Sequence, residues 1–138
     1  MPRVEPEEQD FDPDSFGAAD AEAAFAEGAR LFEDGAYHAA HEAFERCWLA
    51  NEAADADFFK GLIQACICLH HFQRENLDGA RKLYQGHRRL LGAFLPAHRG
   101  IDVARFLAEM QRALAPVLRA RRDERVPFPG APPRLVRA

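Results

Sequence analysis

Phe58-Phe59-Lys60-Gly61-Leu62-Ile63-Gln64-Ala65-Cys66-Ile67-Cys68-Leu69-His70-His71-Phe72-Gln73 is apolar on almost every side when wound as a helix. Such a helix belongs in the middle of a bundle, covered by its neighbours. Its polar exceptions carry information. At about 100° per residue from Phe59, Lys60 lies near about 100°, His71 near about 120° and Gln64 near about 140°, one polar line. His70 falls near about 20°, on an apolar face with Phe59 and Ile63.

The helical period continues outward from this segment in both directions. Residues 19–34 place Ala24, Phe25, Gly28, Leu31 and Phe32 on one face, and Asp34-Gly35 ends the run with a glycine stop. A second helix spans about 36–51, and Asp55 or Asp57 is the expected cap of the third. Asn76 caps a fourth, about 77–94, closed by Pro96. Asp102 caps a fifth, about 103–122, with Pro116 as a kink or break. No segment alternates with period two, so no sheet is expected. Short connections make neighbours antiparallel. The fold class is all-α: one bundle of about five helices built from antiparallel hairpins. Gly28, Leu31, Gly35, Tyr37, Ala40 and Phe44 stand at the spacing of a tetratricopeptide helix pair, a local likeness in which Gly28 and Ala40 allow close approach.

A chain of 138 residues reads as one domain with a core that needs no disulfide or structural metal. Residues 1–18, acidic and Pro-containing, form a loosely attached arm, and 19–125 form the helical domain. Residues 126–138, with Pro127, Pro129, Pro132 and Pro133, form an extended tail over the surface. Cys47, Cys66 and Cys68 read as reduced, buried small hydrophobes. No membrane span or signal peptide is legible, so the expected location is cytoplasmic. The first 57 residues hold 16 acidic and 3 basic side chains, and residues 81–138 hold 4 acidic and 13 basic ones. The favoured reading is that the halves pack together and their charges pair, within one molecule or a dimer. An acidic net charge of −4 and the lack of a nucleic-acid motif argue against nucleic acid.

Helix two places polar groups beside its core face. With His41 at zero, Glu45 lies near about 40°, His38 near about 60° and Glu42 near about 100°, while Tyr37, Phe44 and Trp48 point to the core. If the His41–Glu45 strip meets the Gln64–His71 line across a hairpin, two imidazoles, a carboxylate and an amide assemble. His41, Glu45 and His71 then form a ligand set for a divalent metal such as Zn, Mn or Fe. Glu42 is the general base and Gln64 orients substrate or water, the chemistry of a metal-assisted hydrolase on a small-molecule substrate. His-Glu-x-x-Glu is not the metalloprotease His-Glu-x-x-His. The rival reading makes the same residues a structural hydrogen-bond network in a non-catalytic interaction module with a protein partner. Homo-oligomerisation stays open. Trp48 is expected as a core anchor, and His87 and His98 at the surface or at helix ends.

The strings Phe32-x-x-Gly35-x-Tyr37-x-x-Ala40-His41-Glu42-x-x-Glu45-x-x-Trp48, Phe59-x-Gly61-Leu62-Ile63-Gln64-x-x-x-x-x-x-His71 and Asn76-x-x-Gly79-Ala80 resemble the domain of unknown function 309 family, over about Phe25 to Leu95. The resemblance implies a small all-α bundle, and the family has been labelled a metal-dependent hydrolase. Glu75 departs from the family pattern, which often has Gly before the Asn. A left-handed turn there is harder for Glu.

Overall fold

The structure, a computed structural model, describes residues 17–50 and 53–138. Among them are five α-helices: α1 (Ala18–Glu33), α2 (Tyr37–Ala50), α3 (Ala53–Gln73), α4 (Leu77–Leu91) and α5 (Val103–Arg119). A single 3-10 turn (Gly92–Phe94) and a two-stranded ribbon, β1 (Ala97–His98) and β2 (Ile101–Asp102), join α4 to α5. The all-α fold class holds. The expectation for the arm before residue 17 lies outside the described residues.

Helix ends follow from local chemistry. The Gly17 N–H donates to the Asp20 carboxylate at 3.0 Å, closing the start of α1. Gly35, at φ +78°, ends α1 in the left-handed conformation, and the Ala36 N–H returns to the Leu31 carbonyl at 2.9 Å. At the next corner Glu75 takes the same conformation at φ +62°. The chain keeps the left-handed turn there although the residue is not glycine. Asn76 then caps α4, its side-chain oxygen accepting from the Gly79 N–H at 3.1 Å. Asp102 caps α5 through the Arg105 N–H at 2.9 Å.

Three expectations change. α3 begins at Ala53, so Asp55 lies in its first turn and neither Asp55 nor Asp57 is its cap. α5 runs through Pro116 and stops at Arg119, because a proline so near the end removes only one hydrogen bond. A ribbon exists where no strand was expected. Its strands are two residues long, too short to display a period. Arg99 (φ +48°) and Gly100 (φ +78°) make its two-residue turn.

α3 is the central element. Phe58, Phe59, Leu62, Ala65, Cys66, Cys68, Leu69 and Phe72 are all buried, between α2 on one flank and α4 on the other. Gly28 lets α1 meet α2: a Cβ there would stand 2.6 Å from the Phe44 ring. Phe25 packs against Phe44, Phe58 and Phe59 with ring centres 5.8, 6.3 and 6.0 Å away. α5 closes the core from the far side and is fastened to α4 by arginine side chains that reach its carbonyls. Arg81 donates to the Val117 and Ala120 carbonyls at 3.2 and 3.4 Å, and Arg88 to that of Leu107 at 3.1 Å. The tail runs back across α1 and β2. The Asp102 N–H donates to the Val136 carbonyl, and the Ala138 N–H to that of Gly100, both at 2.8 Å.

The charge asymmetry resolves inside the molecule at several points. Acids of the first half meet bases of the second in Glu33–Arg134 at 3.1 Å, Asp55–Arg99 at 2.9 Å and Glu22–Arg99 at 3.4 Å. All three cysteines are free and buried. Burial pushes the Cys47 thiol up to about 11 and the Cys68 thiol up to about 12, so both stay neutral. No described helix is long and apolar enough to cross a membrane.

Candidate functional site

α2 and α3 pack side by side, and their outward edges carry the polar residues singled out in the sequence. The His41 Nδ1–H donates to the His38 carbonyl at 2.7 Å, which pins the ring over its own helix. Its ring centre is 4.9 Å from that of His38. His38 in turn stands 5.3 Å from His70 on α3, and His70 stands 6.4 Å from His71. His41, His38 and His70 thus form a row of three imidazoles across two helices, with His71 beyond His70. Glu42 and Glu45 are exposed on α2.

Gln64 and His71 face the other way. A Cβ at Gly79 of α4 would stand 2.8 Å from the His71 ring, and a Cβ at Gly86 would strike the Gln64 carboxamide. Asn76 Nδ2 donates to His71 Nδ1 at 3.2 Å. Gln64 Oε1 is buried with no hydrogen-bond partner among the described residues. Gln64 and His71 therefore lie on the flank that α4 covers, about 100° round α3 from His70 and Ile63. The strip His41–Glu45 does not meet the line Gln64–His71. His38, beside that strip, meets His70 instead, which the helical angle placed on an apolar face.

The consequence for a metal is direct. Among the described residues no group of three or more His, Cys, Asp or Glu side chains is arranged to hold an ion. His41, Glu45 and His71 are not brought together as a ligand set. The side chains present do not fit the cofactor that the hydrolase reading requires.

Two further expectations are corrected. Trp48 is not a core anchor: it is 37 % exposed, next to Leu49 at 49 %. Its angle lies just past the buried arc of α2, at the rim that faces solvent beside α3. His87 is not at the surface but fully buried between Tyr84 and Phe106, with neither ring nitrogen hydrogen-bonded among the described residues. Burial drives its pKa down to about 4, so the ring is neutral. His70 is also shifted down, first by burial and then by the neighbouring charges of His38, Arg74, His71 and His41.

A second polar group escaped the sequence reading altogether. Asp55 accepts from His98 at 2.8 Å and from Arg99 at 2.9 Å, and it joins the start of α3 to the ribbon 43–44 positions later. Arg99 lies over the Phe59 ring at 5.1 Å and the Phe25 ring at 5.7 Å. Burial of Asp55 opposes its ionisation, but the hydrogen bonds from His98 and Arg99 prevail and hold the carboxyl below its usual value. Every tie here is long-range, so no local spacing announces it.

These features define a small all-α protein of stacked helical hairpins with a row of histidines and an exposed tryptophan. Residues 25–83 match the family described as Domain of unknown function (DUF309). No curated protein and no solved structure matches the chain.

Proposed function

We propose that this chain is a non-catalytic helical interaction module. Its outward α2–α3 edge receives a protein partner that presents apolar and basic side chains. The observation that supports the reading is Trp48 at 37 % exposure beside Leu49 at 49 %, on the same helix as His41 and Glu45. Buried aromatic anchors dominate interface energetics, and an exposed Trp-Leu pair is costly to leave in water without such a use. Because His38 meets His70 in an antiparallel pair, Glu45 stands about level with half-buried Ile63 and Trp48 about level with Lys60. Apolar contact surface and acidic groups thus alternate along one edge. Glu42 and Glu45 select for a basic partner and speed its approach. In this reading His71, Asn76 and Gln64 position α4 and touch no ligand. The metal-assisted hydrolase is not favoured, since its ligands diverge.

The test compares purified full-length variants as bait. A partner should be held by the wild type and by His41→Ala, and lost with Trp48→Ala at unchanged helical circular dichroism. It should then bind as a purified protein, more weakly as salt rises. Binding indifferent to Trp48, or a self-association that accounts for all of it, overturns the proposal. Stoichiometric zinc, manganese or iron in untagged protein would restore the hydrolase reading.

A further inference from the structure

The tail, α1 and the first turns of α5 line an open cavity of about 550 Å³. It shares no residue with the histidine row, so occupancy of the cavity and of the α2–α3 edge are separate matters. Glu33 and Glu109 line it together with Arg30, Arg105, Arg134 and Arg137. Both carboxylates are already engaged. Glu33 accepts from Arg134 Nε at 3.1 Å and from the Leu135 N–H at 2.9 Å. Glu109 accepts from Arg112 Nη2 and from the Arg134 N–H, both at 3.1 Å. Arg30 reaches only the exposed Asp34, at 3.4 Å. Arg105 and Arg137 have no carboxylate partner among the described residues. Arg137 is instead stacked over the Phe25 ring at 5.8 Å. Among the described residues these two cations, on different elements, thus line one concave site with no carboxylate at ion-pair distance, and their fields add there.

We infer that this cavity binds a small phosphorylated molecule. Arg105 from α5 and Arg137 from the tail approach from separate elements, with Arg30 from α1 at the same wall. Several guanidinium forks suit a tetrahedral oxyanion with three acceptor oxygens, whereas one fork satisfies a planar carboxylate. The volume lies in the range of small-molecule sites, and Ala29 and Leu135 supply an apolar surface for the rest of the ligand. The tail is part of the site, so its clasp onto Glu33 and Glu109 holds Arg137 in place.

The test is calorimetric titration of the full chain with glycerol 3-phosphate, with inorganic phosphate and with acetate, at physiological salt. Saturable one-to-one binding of glycerol 3-phosphate is expected, weakened about tenfold or more by Arg105→Gln, which removes one charge-assisted contact from an exposed position. Arg137→Gln should act alike, and the paired control Arg121→Gln with Arg122→Gln should bind as the wild type does. Circular dichroism confirms that each variant is folded. Absence of saturation, equal loss in the control, or acetate binding as tight as phosphate each overturns the proposal.

Discussion

The His70 ring lies 5.3 Å from His38 of α2, while its neighbour His71 bonds Asn76 and abuts Gly79 of α4. One step along α3 turns a side chain by about 100°, enough to carry it from one neighbouring helix to the other. The two flanks of α3 therefore do different work. The α2 flank is open and carries the histidine row. The α4 flank is closed and packs around glycines.

Buried His87 sets a pH limit on the fold. Its pKa falls from 6.5 to about 4 in the native state, so the unfolded chain takes up the proton first. Stability is then full above about pH 6.5 and falls as pH drops toward about 4, by on the order of 2–3 kcal/mol. His70, shifted in the same direction, steepens the upper part of this window. Urea melts of the wild type and His87→Phe between pH 7 and pH 4 check this. A wild-type profile no steeper than that of the variant would remove His87 from the account.

Asp55 works in the opposite pH range. Its carboxyl is held below the usual value by His98 and Arg99, so its contribution is present above about pH 4 and disappears as the group is protonated at lower pH. Asp55→Ala should cost about 2 kcal/mol at neutral pH, because it strips a half-buried Arg99 of its carboxylate. Denaturation at pH 7 measures the loss. The difference from wild type should shrink in acid.

Glu75 pays a conformational cost at φ +62°. Glu75→Gly should stabilise the protein by up to about 1 kcal/mol, since its exposed pair with Arg125 is worth little. Asn76→Ala should destabilise by about 1 kcal/mol through loss of the α4 cap. Thermal melts of the two variants should shift in opposite directions.

Gly28 is a packing residue. Gly28→Ala drives a methyl group into the Phe44 ring and should cost about 1–2 kcal/mol net, after the gain in helix propensity is subtracted. A smaller ring site, Phe44→Leu, should remove most of that penalty in a double-mutant cycle. Additive effects would mean that the helices do not touch there.

Trp48→Ala should leave stability within about 0.5 kcal/mol of wild type, as an exposed position demands. A loss of several kcal/mol in chemical denaturation would return Trp48 to the core, where its position in the sequence first placed it.

Apolar periodicity, two Asx caps and a glycine stop already determine that this chain is an all-α bundle with α3 at its centre. They are local signals, and they act within one or two helical turns. The near-continuous apolar girth of 58–73 needs no partner to be identified before it can be called buried. Which neighbour covers which arc of α3 was decided only by the tertiary structure. Gln64 and His71 belong to the arc under α4, and His70 to the arc beside α2, because the hairpins turn in a particular sense that helical angles do not contain. Trp48 shows the same limit from the other side. Its angle lies within about 40° of Phe44, and only the width of the α2–α3 contact sets one in the core and the other in water. The bond network of Asp55, His98 and Arg99, and the cavity under the tail, join residues dozens of positions apart. Such sites come into being when the chain closes on itself, so no stretch of sequence holds them alone.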